Sequence, residues 1–193
     1  MTVDGRGVEQ LSRLVQTFTS HATNLPNPVC SDPLLLYRRR MSHAHRYATT
    51  CRWKGSTAAG YDAYDRTHRM TAPPAEASLT LTSDPVFRGH PGLLNPEQLL
   101  VMAASSCQLL SFLAVAARAR VDVVEYGDDA EGEMPEDELP MRITTVTLRP
   151  TITVRGDVDD DRLAHLCEVA HRHCFIANSL STEIRLEPTF LRV

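Results

Sequence analysis

The stretch N95-P-E-Q-L-L-V-M-A-A-S-S-C107 decides how the chain is read. Asn95 is a favoured helix N-cap. Pro96 suits the first helical position, where its missing N–H has no partner to lose, and Gln98 stands at the capping-box spacing. The sequence predicts a helix from here to about Arg120. It is apolar almost all round, and such a helix belongs at the centre of a fold or in a subunit interface. Ten residues past Glu97 it carries a thiol, Cys107. A second thiol, Cys174, ends a later helical run, A170-H-R-H-C-F-I-A-N-S-L180. Two such thiols suggest a pair that is oxidised together. A cysteine acts as a nucleophile only as the thiolate, so the groups that lower its pKa matter.

Working outward, R46-Y-A-T-T-C-R-W-K54 is rich in β-formers, G55-S-T-A-A-G60 reads as a turn region, and Y61-D-A-Y-D-R-T-H-R-M70 is expected to return as the second strand of a hairpin. L79-T-L81 is a short strand, followed by a Pro- and Gly-dense loop from Ser83 to Leu94. Beyond the helix, V123-V-E-Y126 is expected to lead into a solvated acidic loop, because Asp122 to Pro140 holds nine acidic residues and no basic one. R142-I-T-T-V-T-L-R-P-T-I-T-V-R155 alternates, with Val146, Leu148, Ile152 and Val154 on one face and Thr145, Thr147, Arg149, Thr151 and Thr153 on the other. Pro150 points to an edge position or a bulge, since it has no N–H for a ladder. G156-D-V-D-D-D161 supplies turn and cap residues for a helix from Arg162 to about Cys174. T182-E-I-R-L-E-P188 closes as a strand, extended by F190-L-R-V193. Strands and helices without strict βαβ alternation indicate an α+β fold.

A length of 193 residues suits one domain with an appendage. Residues 1–40 stand apart: V8-E-Q-L-S-R-L-V-Q-T-F18 has a short amphipathic pattern, and a proline-broken stretch follows. They are expected to be a disordered extension or a start placed too far upstream, with the folded domain over 41–193. The run from Leu99 to Ala117 comes closest to a membrane span, but Ser105, Ser106, Cys107, Gln108 and Ser111 interrupt it, so a buried core helix and no membrane partner are expected. A net charge of -4 gives no reason to expect nucleic acid. The five cysteines, Cys30, Cys51, Cys107, Cys167 and Cys174, are odd in number, and no secretory-type order precedes them. A reducing cytoplasm is the default, and there a disulfide is catalytic more often than structural.

Glu97 and Cys107 fall on one helical stripe, roughly 15 Å apart at 1.5 Å per residue. That is too far for contact. A long arginine reaching in from a strand would touch both, held by the glutamate while its field favours a thiolate. The plain alternative is that Cys107 is a small buried hydrophobe. A rival chemistry lies in His165, Cys167, His171, His173 and Cys174, all zinc-ligand types, although neither CxxC nor HExxH occurs. A Ser-His-Asp hydrolase has no support, because G-x-S-x-G is absent and Ser105 and Ser106 lie inside a helix.

These residues resemble the two cysteine motifs of the OsmC/Ohr family, the osmotically inducible and organic hydroperoxide resistance proteins. N95-P-E-Q-L-L with Cys107 ten residues after the glutamate resembles the first motif, and C174-F-I-A-N-S-L180 the second. R46-Y-A-T-T-C-R-W-K-G55 is similar to the family's opening strand, and D84-P-V-F-R-G89 is closest to its OsmC-like branch. The resemblance covers about residues 43–191. It implies an α+β fold with antiparallel sheets around two central cysteine-bearing helices, in an intertwined homodimer with its sites at the dimer interface. It also implies a thiol peroxidase without a cofactor. In it, Cys107 would attack the peroxide, Cys174 would resolve the product as a disulfide, and a dithiol reductant, often a lipoyl group in the family, would restore both. Glu97 would orient the activating arginine, taken here as Arg66 with Arg69 and Arg52 as alternatives. The other branch of the same reading is a non-catalytic ligand- or zinc-binding member. Phe175 departs from the proline that many members have after the second cysteine.

Overall fold

The computed structural model describes residues 44–193. The expectations for residues 1–40, the Val8–Phe18 helix and Cys30 among them, lie outside the described residues.

The first sheet is a three-stranded antiparallel meander of β1 (Thr50–Arg52), β2 (His68–Thr71) and β3 (Ser78–Leu81). The second strand starts at His68 rather than Tyr61, so Arg66 lies in a loop. Local hydrogen bonds favour that loop over an earlier strand. Asp65 Oδ1 accepts from both the backbone N–H and the hydroxyl of Thr67, while the Trp53 indole donates to Asp65 O at 2.7 Å. After β3, Asp84 caps a 3-10 turn over Pro85–Phe87. Gly89 is required in this loop, because a Cβ there would stand 1.6 Å from the Ser83 carbonyl oxygen.

The remaining strands are β4 (Asp122–Asp128), β5 (Glu131–Glu133), β6 (Thr145–Leu148), β7 (Pro150–Arg155), β8 (Glu183–Leu186) and β9 (Thr189–Arg192). They form two three-stranded sheets, β4-β7-β9 and β5-β6-β8. The register is the same in both. Thr147 faces Glu131 as Ile152 faces Tyr126, and Leu148 faces Leu186 as Thr151 faces Thr189. The two sheets are thus one three-stranded ladder interrupted at Arg149. Pro150 sits at that interruption on the central strand, not at an edge, where the gap absorbs its missing N–H. Part of the acidic stretch is strand rather than loop, since β5 pairs with β6. The antiparallel expectation holds for β1–β3 and for β4 and β5 against β7 and β6. The closing strands β8 and β9 run parallel to β6 and β7.

Two helices cover one face of this ladder. Helix α1 (Pro96–Arg118) begins with the full capping box: Asn95 accepts from Gln98 N at 2.8 Å and donates its own N–H to Gln98 Oε1 at 3.1 Å. Helix α2 (Asp160–Arg172) is capped by Asp159, which accepts from Arg162 N at 2.7 Å. The alternation of the central strand does the rest. Val146, Leu148, Ile152 and Val154 are all fully buried. Ile152 and Val154 pack with Phe112 and Ala116 of α1 and with Leu163, Leu166, Cys167 and Ala170 of α2. Val146 and Leu148 pack with Ala104. Burying side chains of this size is worth about 1.5–3 kcal/mol each.

Candidate active site

Helix α2 ends at Arg172, with His173 as its C-cap, so Cys174 stands just beyond the helix. The next residues fold into a tight turn. The Asn178 side chain donates to the carbonyls of Arg172 and Cys174, both at 3.0 Å, closing the carbonyls that a helix end leaves open. Ser179 Oγ donates to Phe175 O at 2.7 Å. This turn aims two successive amides at sulfur. The Ile176 N–H donates to Cys107 Sγ at 3.5 Å, and the Ala177 N–H donates to Cys174 Sγ at 3.4 Å. Both cysteines are free thiols; Cys174 is buried and Cys107 half-buried. Burial, followed by a hydrogen bond with the Cys107 side chain, pushes the Cys174 thiol up to about 11, against the pull of the Ala177 amide.

The acid and the arginine sit elsewhere. Arg66, 9% exposed, is bound within its own loop. Its guanidinium donates to Tyr64 O at 2.8 Å and to Tyr61 O at 2.6 Å, and it lies 4.0 Å from the Tyr64 ring centroid and 4.7 Å from that of Tyr61. Arg66 and Glu97 line one cavity of about 430 Å³ together with Cys51, Trp53, Tyr64 and His68. They do not hydrogen-bond each other, and Glu97 Oε2 is buried with no partner among the described residues. Cys107 is not among the residues lining that cavity. The alternatives are no nearer the chemistry: Arg52 is exposed, and Arg69 is exposed with a bond to Ser78 Oγ at 3.2 Å. The structure therefore joins the two cysteines and, separately, Glu97 with Arg66.

The histidine and cysteine set proposed from sequence as a zinc alternative does not assemble. His165 and His173 are exposed while Cys167 is buried, and among the described residues no three His, Cys, Asp or Glu side chains converge on a point that would hold a metal. The sequence assigns Ile176, Ala177 and Asn178 no role of their own. They stand only within the 174–180 stretch that resembles the second cysteine motif, and an asparagine four residues past Cys174 at a helix end suits a turn.

Cys167 has the opposite character to the pair. Burial, and after it the charge of Glu168, pushes its thiol up to about 12. At pH 8 it should hold on the order of a thousandfold less thiolate than an ordinary cysteine. Alkylation of the reduced protein should therefore leave Cys167 unmodified until denaturant is added, as read by peptide mass spectrometry. Its linkage has a fixed sign. A thiol whose folded pKa lies above its unfolded value contributes full stability below about pH 8.5, and that contribution is lost as pH rises toward 12. Cys167→Ala should flatten the fall of melting temperature across that window.

Residues 89–189 match the protein family described as OsmC-like protein. Among curated proteins, the uncharacterized protein YmaD of Bacillus subtilis is 25% identical over 96 residues, 48% of this chain, and the matched part spans 64% of that protein's length. Among solved structures, an OsmC-like protein of unknown function from Vibrio cholerae superposes with a TM-score of 0.67 at 28% identity, covering 75% of this chain and 99% of the other. An organic hydroperoxide resistance protein from Elizabethkingia anophelis shares the fold, with a TM-score of 0.58 at 17% identity over 79% of this chain and 100% of the other.

Proposed function

The chain belongs to the OsmC-like protein family, and from that premise we propose that it is a cysteine-based thiol peroxidase acting on organic hydroperoxides or hydrogen peroxide. The observation that carries this reading is the turn after α2, whose successive amides face the sulfurs of Cys107 and Cys174. It brings two free thiols from distant parts of the sequence into contact.

In the proposed reaction the Cys107 thiolate attacks the terminal peroxide oxygen. An S–O bond forms, the O–O bond breaks, and the leaving oxygen takes a proton and departs as alcohol, or as water from hydrogen peroxide. The peroxide gains two electrons and Cys107 becomes a sulfenic acid. Cys174 then attacks that sulfur. The S–S bond forms as the S–O bond breaks, and the departing hydroxyl leaves as water with the Cys174 proton. A dithiol reductant, a lipoylated protein being one candidate, exchanges with the disulfide, returns both thiols and is itself oxidised. The raised pKa of Cys174 fits the resolving role, because a thiol that stays protonated at neutral pH is not the first nucleophile. Regeneration by a dithiol fits a reducing cytoplasm.

In this reading Glu97 is a positioning residue. Its carboxylate oxygen, unpartnered among the described residues, accepts an arginine when substrate binds, and Arg66, which shares its cavity, is the arginine of this chain assigned to that task. The partner is a second copy of the chain. The most apolar 18-residue window of helix α1 has a mean hydropathy of 2.0, yet only 22% of it is buried within the chain. A second α1 would cover the remainder.

The test is a single turnover. Protein is reduced, freed of reductant and given one equivalent of cumene hydroperoxide. One peroxide should disappear per chain, with two thiols lost and a Cys107–Cys174 peptide recovered. Unchanged peroxide, or thiol loss at Cys51 or Cys167 instead, would overturn the proposal.

A further inference from the structure

Gln108 follows Cys107 on α1 and is only 1% exposed. The other buried residues of its helix are Ala104, Phe112 and Ala116, at steps of four, so Gln108 interrupts an otherwise apolar stripe. Its Nε2 donates to the backbone carbonyl of Cys167 on α2 at 3.2 Å, while its Oε1 is buried with no partner among the described residues. A half-satisfied buried amide is worse for stability than an apolar side chain of the same shape. Packing alone therefore does not call for glutamine at this position.

The bond has a specific place in the site. Helices α1 and α2 run antiparallel, and three bonds tie α1 to α2 and the turn after it: Arg162 donates to Ala119 O at the C-cap of α1 at 2.9 Å, Gln108 donates to Cys167 O, and the Ile176 N–H of the turn donates to Sγ of Cys107, the residue before Gln108. The apolar contacts between the helices are non-directional and tolerate sliding. A hydrogen bond from the residue after Cys107 to the helix that leads into Cys174 does not. Disulfide geometry is narrow, and the effective concentration of two reacting groups falls steeply with small misplacements. We infer that Gln108 is a positioning residue for the thiol pair, locking α1 against α2 so that the Cys107 and Cys174 sulfurs stay in register for disulfide formation. This rests on the two-cysteine reading of the site.

The test uses Gln108→Leu and Gln108→Met, which keep the volume and remove the donor, and Arg162→Ala, which cuts the far tie. The readout is the equilibrium of the Cys107–Cys174 disulfide against dithiothreitol, which needs no peroxide. Failure of the peroxidase reading, seen as wild-type protein inert to peroxide, therefore stays separate. Both Gln108 variants should melt at or above the wild-type temperature yet lose about tenfold in disulfide stability, a rise of about 30 mV in reduction potential. Arg162→Ala should lower the melting temperature and leave that equilibrium unchanged. The inference is overturned if both Gln108 variants stay within twofold of wild type. It is overturned equally if Arg162→Ala shifts the equilibrium as much as they do, or if neither Gln108 variant folds, since Gln108 would then be a stability element.

Discussion

Cys107→Ser should abolish peroxide turnover, lowering the rate by at least roughly a thousandfold, because a serine hydroxyl is not ionised near neutral pH and is a far weaker nucleophile than a thiolate. The fold should not notice. The position is half-buried and the change is one atom, so circular dichroism and melting temperature should match wild type. Cys174→Ser should give a different defect. The attacking thiol is intact, so one equivalent of peroxide should still be consumed per chain. The product then has no resolving partner, and it should accumulate as a dimedone-reactive sulfenic acid or pass to the sulfinic acid with excess peroxide. Cys167→Ser supplies the contrast. With its thiol buried among Phe112, Leu163 and Ala170, it should cost stability and leave the stoichiometry of peroxide consumption unchanged. Wild-type turnover in Cys107→Ser would remove the premise on which the roles of Cys174, Glu97 and Arg66 stand.

The parts of the structure legible in the sequence were those written in local signals. The Asn95–Gln98 capping box placed the start of α1 to the residue, and the Val/Thr alternation of 145–154 gave the buried face of the central strand without error at Val146, Leu148, Ile152 and Val154. The misread features depend on partners distant in sequence. Nothing local says that β8 and β9 run parallel to β6 and β7, or that an acidic segment pairs as β5, because strand pairing is settled by register across the sheet. Pro150 carried the correct message, an interrupted ladder, but not where the strand lies in the sheet. The site divides in the same way. Cys107 and Cys174 were visible as thiols at helical positions, whereas the amides facing them belong to backbone whose side chains, Ile176 and Ala177, announce nothing. The β-rich pattern of residues 61–70 places Arg66 in a strand. Its neighbours Tyr61 and Tyr64, which hold its guanidinium, make it a loop residue instead.

In the proposed homodimer, Leu110→Glu should shift the chain from dimer to monomer. Helix α1 carries two stripes about half a turn apart. Ala104, Gln108, Phe112 and Ala116 face α2 and the sheet, while Met102, Leu110 and Leu113 are 50%, 63% and 38% exposed. The first stripe is accounted for by packing within the chain. The second resembles the first in character but faces outward in a single copy. Contiguous apolar surface of this kind marks an interaction site, and a two-fold interface is self-complementary, so one helix face serves both chains. Each glutamate would forfeit about 2–3 kcal/mol of leucine burial and would desolvate a charge besides. The substitution enters a two-fold interface twice. A penalty of about 5 kcal/mol or more corresponds to a rise in dissociation constant of more than a thousandfold. Sedimentation at micromolar concentration should report twice the chain mass for wild type and the chain mass for the variant. Peroxide turnover should fall with it, since α1 also carries Glu97 and Cys107. A variant that stays dimeric would mean that the outer stripe of α1 is not where the copies meet.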